Sequence, residues 1–68
     1  METKFESHLR EARIANSLSQ EDLARRANVS RETIRKIEKG SAVPSVLLGI
    51  LLAGLLGWAV TDLFKKKN

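Results

Sequence analysis

The 68-residue sequence contains no cysteine, which removes both a disulfide framework and any thiolate metal site. Its single histidine, His8, cannot assemble the three or four ligands a metal ion takes, so no metal is expected, and His8 is read as a helix-surface residue. No segment alternates apolar and polar residues with period two, so strands have no signal and the fold is expected to be all-α. The amino-terminal METKFESHLR carries charge every few residues and has no apolar stretch of the secretory kind, which makes a cytoplasmic setting the default expectation. There is no glycine-rich phosphate loop and no nucleophile to match His8. Caps and helix surfaces account for the hydroxyls and carboxylates. Neither an enzyme nor a cofactor nor a small-molecule substrate is expected. A chain this short makes one domain, and folding at this length buries only about 60% of the surface of the unfolded chain.

What is present is unevenly spread. Residues 1–40 hold nine Lys/Arg and seven Asp/Glu, residues 41–61 hold nothing ionisable, and Asp62 with Lys65, Lys66 and Lys67 closes the chain. The net charge of +4 permits a polyanionic partner without requiring one. Phe5, Leu9 and Ala12 fall at i, i+4 and i+7, the spacing of one helical face. Ser19 is followed three residues on by Asp22, a capping-box pattern that predicts a helix from Gln20 to about Ala27, stopped by Asn28 in the left-handed conformation. Ser30 then caps a helix from Arg31 to Lys39 that ends at Gly40. Projected at 100° per residue, that helix buries Ile34 and Ile37 and offers Glu32, Arg35, Lys36 and Lys39 on the opposite side. The helix before it turns Leu23, Ala24 and Ala27 inward and Arg25 and Arg26 outward.

These residues carry a resemblance. SQEDLARRANVSRETIRKIEKG resembles the helix-turn-helix of the phage-repressor and Cro family, often called XRE, and the similarity extends over LREARIANSL and on through Phe64. It implies a five-helix repressor-like domain over residues 1–64 with a basic tail at 65–68, its third helix lying in the major groove of duplex DNA. Carried over by position, the resemblance places Arg31, Glu32, Thr33 and Lys36 at base edges, with Gln20 at the start of the second helix next to a phosphate and within reach of a base. Arg and Lys match the O6 and N7 acceptors of guanine, Glu accepts from cytosine N4, and the Thr methyl suits thymine. Ser19, Arg35, Lys39 and Ser41 fall at phosphates. The positions of Arg13 and Glu38 are those of a buried ion pair between the first and third helices.

SVLLGILLAGLLGWAV, residues 45–60, admits three readings: a membrane span, a core helix, or a surface for a partner. Residues 41–61 are long enough to cross a hydrocarbon core of about 30 Å, and lysines lie beyond both ends. Pro44, Gly49, Gly54 and Gly57 interrupt the run, however, and Leu48, Leu52 and Leu56 occupy positions that resemble the inward face of the family's fourth helix. A second stripe, Leu47, Leu51, Leu55 and Trp58, falls where the family usually carries polar or smaller residues, and is expected to meet its own copy in a homodimer on a palindromic site. The chain is thus read as a homodimeric DNA-binding repressor. The alternatives are a tail-anchored membrane protein with a helix-turn-helix segment and an antitoxin-like interaction module. Ala59 stands where the family caps its fifth helix, which leaves two arrangements: Thr61 caps it, or the fourth and fifth helices run together.

Overall fold

Serine hydroxyls start three of the helices, and left-handed residues stop three. The computed structural model describes residues 5–66, which run β1 (Phe5–Ser7), α1 (Leu9–Ala15), α2 (Gln20–Ala27), α3 (Arg31–Lys39), α4 (Val46–Leu56), α5 (Val60–Leu63) and β2 (Phe64–Lys66). Ser19 and Asp22 form the reciprocal capping box of α2, and the Ser30 and Ser45 hydroxyls accept from the N–H groups of Thr33 and Leu48 at 3.1 Å to open α3 and α4. Asn28, Gly40 and Gly57 close α2, α3 and α4 at φ of 57°, 78° and 70°. Glycine bears that backbone without a Cβ clash, and Asn28 is the residue type that tolerates it next best.

Packing follows the apolar faces of the helices. Leu9, Leu23, Ile34, Ile37, Leu52 and Leu63 are fully buried, one or two from each helix. Each contributes roughly 1.5 to 3 kcal/mol of transfer free energy. Ala12, Ala24, Ala27 and Leu56 complete the core, and Leu48 packs half-buried at its edge. Asn16, just past the end of α1, donates from Nδ2 to the Ala12 carbonyl at 2.8 Å and to the Leu56 carbonyl at 3.0 Å, which ties α1 to the last turn of α4.

The fold departs from the all-α expectation in one respect: five helices are present, and a two-stranded antiparallel ribbon joins the two ends of the described chain. Phe5 pairs with Lys66, Glu6 with Lys65, and Ser7 with Phe64. The rings of Phe5 and Phe64 meet edge to face with centroids 6.2 Å apart, while Glu6 and Lys65 set opposite charges across the ribbon. Phe5 is therefore a strand residue, not the first turn of a helical face. His8 stands at the head of α1, half-buried, with Nε2 2.7 Å from Glu6 Oε2 and its N–H donating to the Leu63 carbonyl at 2.7 Å. Lys65 and Lys66 of the basic tail lie in β2; Lys67 and Asn68 fall outside the described residues. At the other doubtful junction, Gly57 ends α4 and Ala59 heads a separate one-turn α5 without a side-chain cap, so Thr61 is an interior residue of α5 and the two helices do not merge. Among the described residues no helix is long and apolar enough to cross a membrane.

One polar cluster crosses the interior. Arg13 Nε donates to Glu38 Oε2 at 2.6 Å and Nη2 to Oε1 at 3.3 Å, while Nη1 reaches the Leu18 carbonyl at 2.9 Å. Gln20 Nε2 adds a donor to Glu38 Oε1 at 3.0 Å. The two charged side chains are only 12% and 5% exposed, and the described residues leave no buried side-chain polar atom without a partner. Removing one partner strands the other charge in the interior, which costs far more than the pair contributes as a unit. Arg13→Ala is accordingly expected to destabilise the fold by about 3 to 5 kcal/mol in urea denaturation, and the double variant Arg13→Met with Glu38→Leu to recover much of that loss. A cost below about 1 kcal/mol for each single change is the behaviour of an exposed pair and contradicts this account.

Candidate nucleic-acid interface

Helices α2 and α3 form a pair joined by a three-residue turn whose geometry is set by Asn28. Its left-handed backbone lets Val29 N–H reach back to the Ala24 carbonyl at 2.9 Å, and the chain leaves Ser30 in the extended conformation that caps α3. With Ile34 and Ile37 buried and Glu38 hydrogen-bonded to Arg13 and Gln20, α3 is fixed about its own axis, and Arg31, Glu32, Lys36 and Lys39 are all exposed. A protruding helix end with this set offers cationic donors from Arg31 and Lys36 and one carboxylate acceptor from Glu32.

The remaining candidates have more specific surroundings. Thr33 is half-buried; its hydroxyl lies 2.8 Å from Ser30 Oγ, which closes the first turn of α3. Gln20 opens α2 with its amide nitrogen committed to Glu38, and Gln20, Ser19, Glu21, Arg13 and Arg31 line a notch of about 240 Å³ between the heads of the two helices. Ser19 is occupied as a cap, and Ser41, just past α3, donates its N–H to the Lys36 carbonyl at 3.0 Å and its hydroxyl to the same carbonyl at 3.2 Å. Arg35 lies along the exposed edge of α3 with its guanidinium on the Glu32 carboxylate, Nε to Oε1 at 2.8 Å and Nη2 to Oε2 at 2.5 Å. The structure thus brings Arg13, Glu38 and Gln20 together, and Glu32 with Arg35. The link of Gln20 to Glu38 has no local signal in the sequence, whereas the i, i+3 spacing of Glu32 and Arg35 is one for theirs.

The helix-turn-helix family model matches residues 9–63, from the first residue of α1 to the last of α5. The chain belongs to the XRE-type helix-turn-helix family. A helix-turn-helix transcriptional regulator of Methanocaldococcus jannaschii, itself uncharacterised, is 41% identical over 60 residues, 88% of this chain and 91% of that one. A regulator of the same type from Bacillus subtilis is 34% identical over the same shares of both chains. Among solved structures, the restriction-modification controller protein C.AhdI of Aeromonas hydrophila superposes with a TM-score of 0.73 at 34% identity, covering 81% of this chain and 83% of that one. The clp gene regulator ClgR of Corynebacterium glutamicum gives 0.74 at 27% identity, covering 81% of this chain and 58% of that one. This helix-turn-helix protein is therefore a DNA-binding transcriptional regulator and not an enzyme.

The apolar stripe is redistributed relative to the expected one. Leu47 and Leu51 are 80% and 42% exposed, whereas Leu55 and Trp58 turn half inward against the core. Val43, Val46 and Ile50 are exposed in their place, and this face borders a hollow of about 250 Å³ floored by Gly49, Phe5 and Phe64.

Two carboxylates, one on α2 and one on α3, titrate below their ordinary range. The Ser19 backbone N–H, then the Ser19 hydroxyl, hold Asp22 down, and the Arg35 guanidinium holds Glu32 down. A lowered folded-state value contributes stability that is present at neutral pH and is lost as pH falls through that value. Asp22→Asn is therefore expected to lower the thermal midpoint at neutral pH, with the gap to wild type closing as the pH drops below the ordinary aspartate range. A gap independent of pH is the result that contradicts the capping role.

Proposed function

We propose that this helix-turn-helix protein binds duplex DNA sequence-specifically as a symmetric homodimer and acts as a repressor by occupying its site. The observation that carries the DNA reading is the exposed face of α3, where Arg31, Glu32 and Lys36 stand free of the core that fixes the helix. In this reading Arg31 and Lys36 pair with guanine O6 and N7, Glu32 accepts from cytosine N4, and Thr33 offers its methyl to thymine. Gln20 reaches the same edge from the head of α2. Ser19, Lys39 and Ser41 lie toward the backbone, where contacts set register without reading sequence.

The homodimer rests on the bare face of α4. Leu47 and Leu51, extended by Val43, Val46 and Ile50 and flanked by the outer edges of Leu55 and Trp58, make a contiguous apolar surface of a kind that monomers rarely expose. Pairing two copies across it would cover that surface and set two α3 helices to engage successive major grooves of a palindrome, about 34 Å apart. The roles of the two solved relatives, a restriction-modification controller and a clp gene regulator, support control of transcription as the outcome of binding.

Two measurements test this. Lys36→Ala is expected to lose about 1 to 3 kcal/mol on a selected duplex and much less on random DNA; equal losses on both remove Lys36 from base reading. Leu47→Lys, at a position remote from the core, is expected to yield a soluble monomer by sedimentation, with helix content retained and weaker DNA binding. A wild-type protein that sediments as a monomer with α4 bare, or that forms its stable complex with a different protein, overturns the homodimer.

A further inference from the structure

We propose that Arg35 is a positioning residue for base reading: it stays closed on Glu32 when the protein is on DNA, and it fixes the plane of the carboxylate that accepts from cytosine. This rests on the reading of α3 as the helix in the major groove. Both oxygens of Glu32 are engaged side-on, Oε1 by Nε and Oε2 by Nη2, so the fork of Arg35 defines the orientation of the carboxylate as well as its location. A carboxylate has about four acceptor lobes, and two remain for a base.

The spacing alone does not create this arrangement. Asp22 and Arg25 have the same i, i+3 separation on α2, but there Asp22 Oδ2 is taken by the Ser19 N–H of the capping box and the contact with Arg25 is a single one, Nη2 to Oδ1 at 2.8 Å, with Arg25 71% exposed. On α3 the pair is bidentate, with Arg35 43% and Glu32 54% exposed. Its position gives the closed pair a use. Glu32 is the second residue of α3, at the end of the helix that enters the groove, where an uncompensated carboxylate meets the field of the phosphates. Closed, the pair carries no net charge, so Glu32 can approach a base edge without that repulsion. Opening it to place Arg35 on a phosphate would give up two charge-assisted hydrogen bonds and leave Glu32 bare beside the polyanion. The two groups favour each other's charged forms: Glu32 is held below its ordinary range by the Arg35 hydrogen bond, and Arg35 is raised by Glu32. Exposed pairs add little to fold stability, so the role shows in specificity.

The test uses the full chain as wild type, Arg35→Ala, Arg35→Lys, Glu32→Gln and the Glu32→Gln/Arg35→Ala double variant, each selected on a pool of randomised duplexes. Each is then titrated against the enriched duplex and its single-base-pair substitutions at several salt concentrations. Glu32→Gln is expected to move the preference at one base pair from cytosine to adenine. Arg35→Ala is expected to lose about tenfold of discrimination at that same base pair, together with a sequence-independent loss from the bared Glu32 carboxylate that the Glu32→Gln/Arg35→Ala double variant removes. Arg35→Lys, a point charge without the fork, is expected to keep affinity and not to restore discrimination there. In the Glu32→Gln background, Arg35→Ala should add no further loss at that position. A loss for Arg35→Ala that is uniform on all duplexes, leaves discrimination at that base pair intact and persists undiminished in the Glu32→Gln background, with the salt slope flattened by about one, makes Arg35 a phosphate contact and overturns the proposal. Enrichment by wild type that Glu32→Gln leaves unchanged overturns it too, while leaving the DNA-reading function intact. A wild type that enriches no sequence overturns that function, and this proposal with it.

Discussion

The orientation of α3 depends on one carboxylate. Glu38 sits on the inner side of α3 and accepts from Arg13 of α1 and from Gln20 of α2, so three helices converge on two oxygen atoms. Apolar packing of Ile34 and Ile37 sets the depth of α3 but tolerates small rotations, because dispersion has no direction. The hydrogen bonds to Glu38 do have direction. They index α3 against α1 and α2, and through Gln20 they connect the interior to the notch between the heads of α2 and α3. A buried pair of this kind is weak support for stability as such, but it disfavours the alternative packings in which these charges would lie unpaired.

Much of this architecture was legible because its signals are local. Ser19 with Asp22, Ser30, Asn28 and Gly40 each report a helix end within four residues of themselves, and the boundaries Gln20–Ala27 and Arg31–Lys39 follow from them alone. The ribbon was not legible. FES and FKK are three residues each, too short for an alternation to register, and their partners lie almost a whole chain length away. The distribution of apolar side chains on α4 was hidden for a different reason. Every position from Val46 to Leu56 is apolar or glycine, so the segment has no polar residue to mark its outer face, and only the packed fold decides that Val46 and Ile50 face out while Leu55 turns toward the core. The polar network around Glu38 was half legible: family position pointed to Arg13, whereas Gln20 becomes a partner only when α2 and α3 are docked.

The two faces of the domain divide physical labour. On α2 and α3 the exposed groups are mostly charged, and some, such as Glu32 with Arg35, are held in short-range pairs, so what those pairs present is directional and set in advance. On α4 the exposed groups are Val46, Leu47, Ile50 and Leu51, which are shape without direction. A surface of the first kind discriminates among partners by hydrogen bonding; one of the second kind adds driving force once the partner's shape fits. The absence of any ionisable group between Ser41 and Thr61 keeps these two characters apart along the chain.

The ribbon gives the molecule an unexpected topology. Phe5 and Lys66 stand opposite each other on adjacent strands, about 5 Å apart by ordinary strand spacing, so the described polypeptide is a ring lacking one short link. Supplying that link would withdraw about 4 kcal/mol of chain entropy from the unfolded ensemble, since a loop of this size is expensive to close. In such a ring the helices would keep their cyclic order while any surface turn could serve as the new point of entry. The order in which these five helices are synthesised is thus separable from the way they pack.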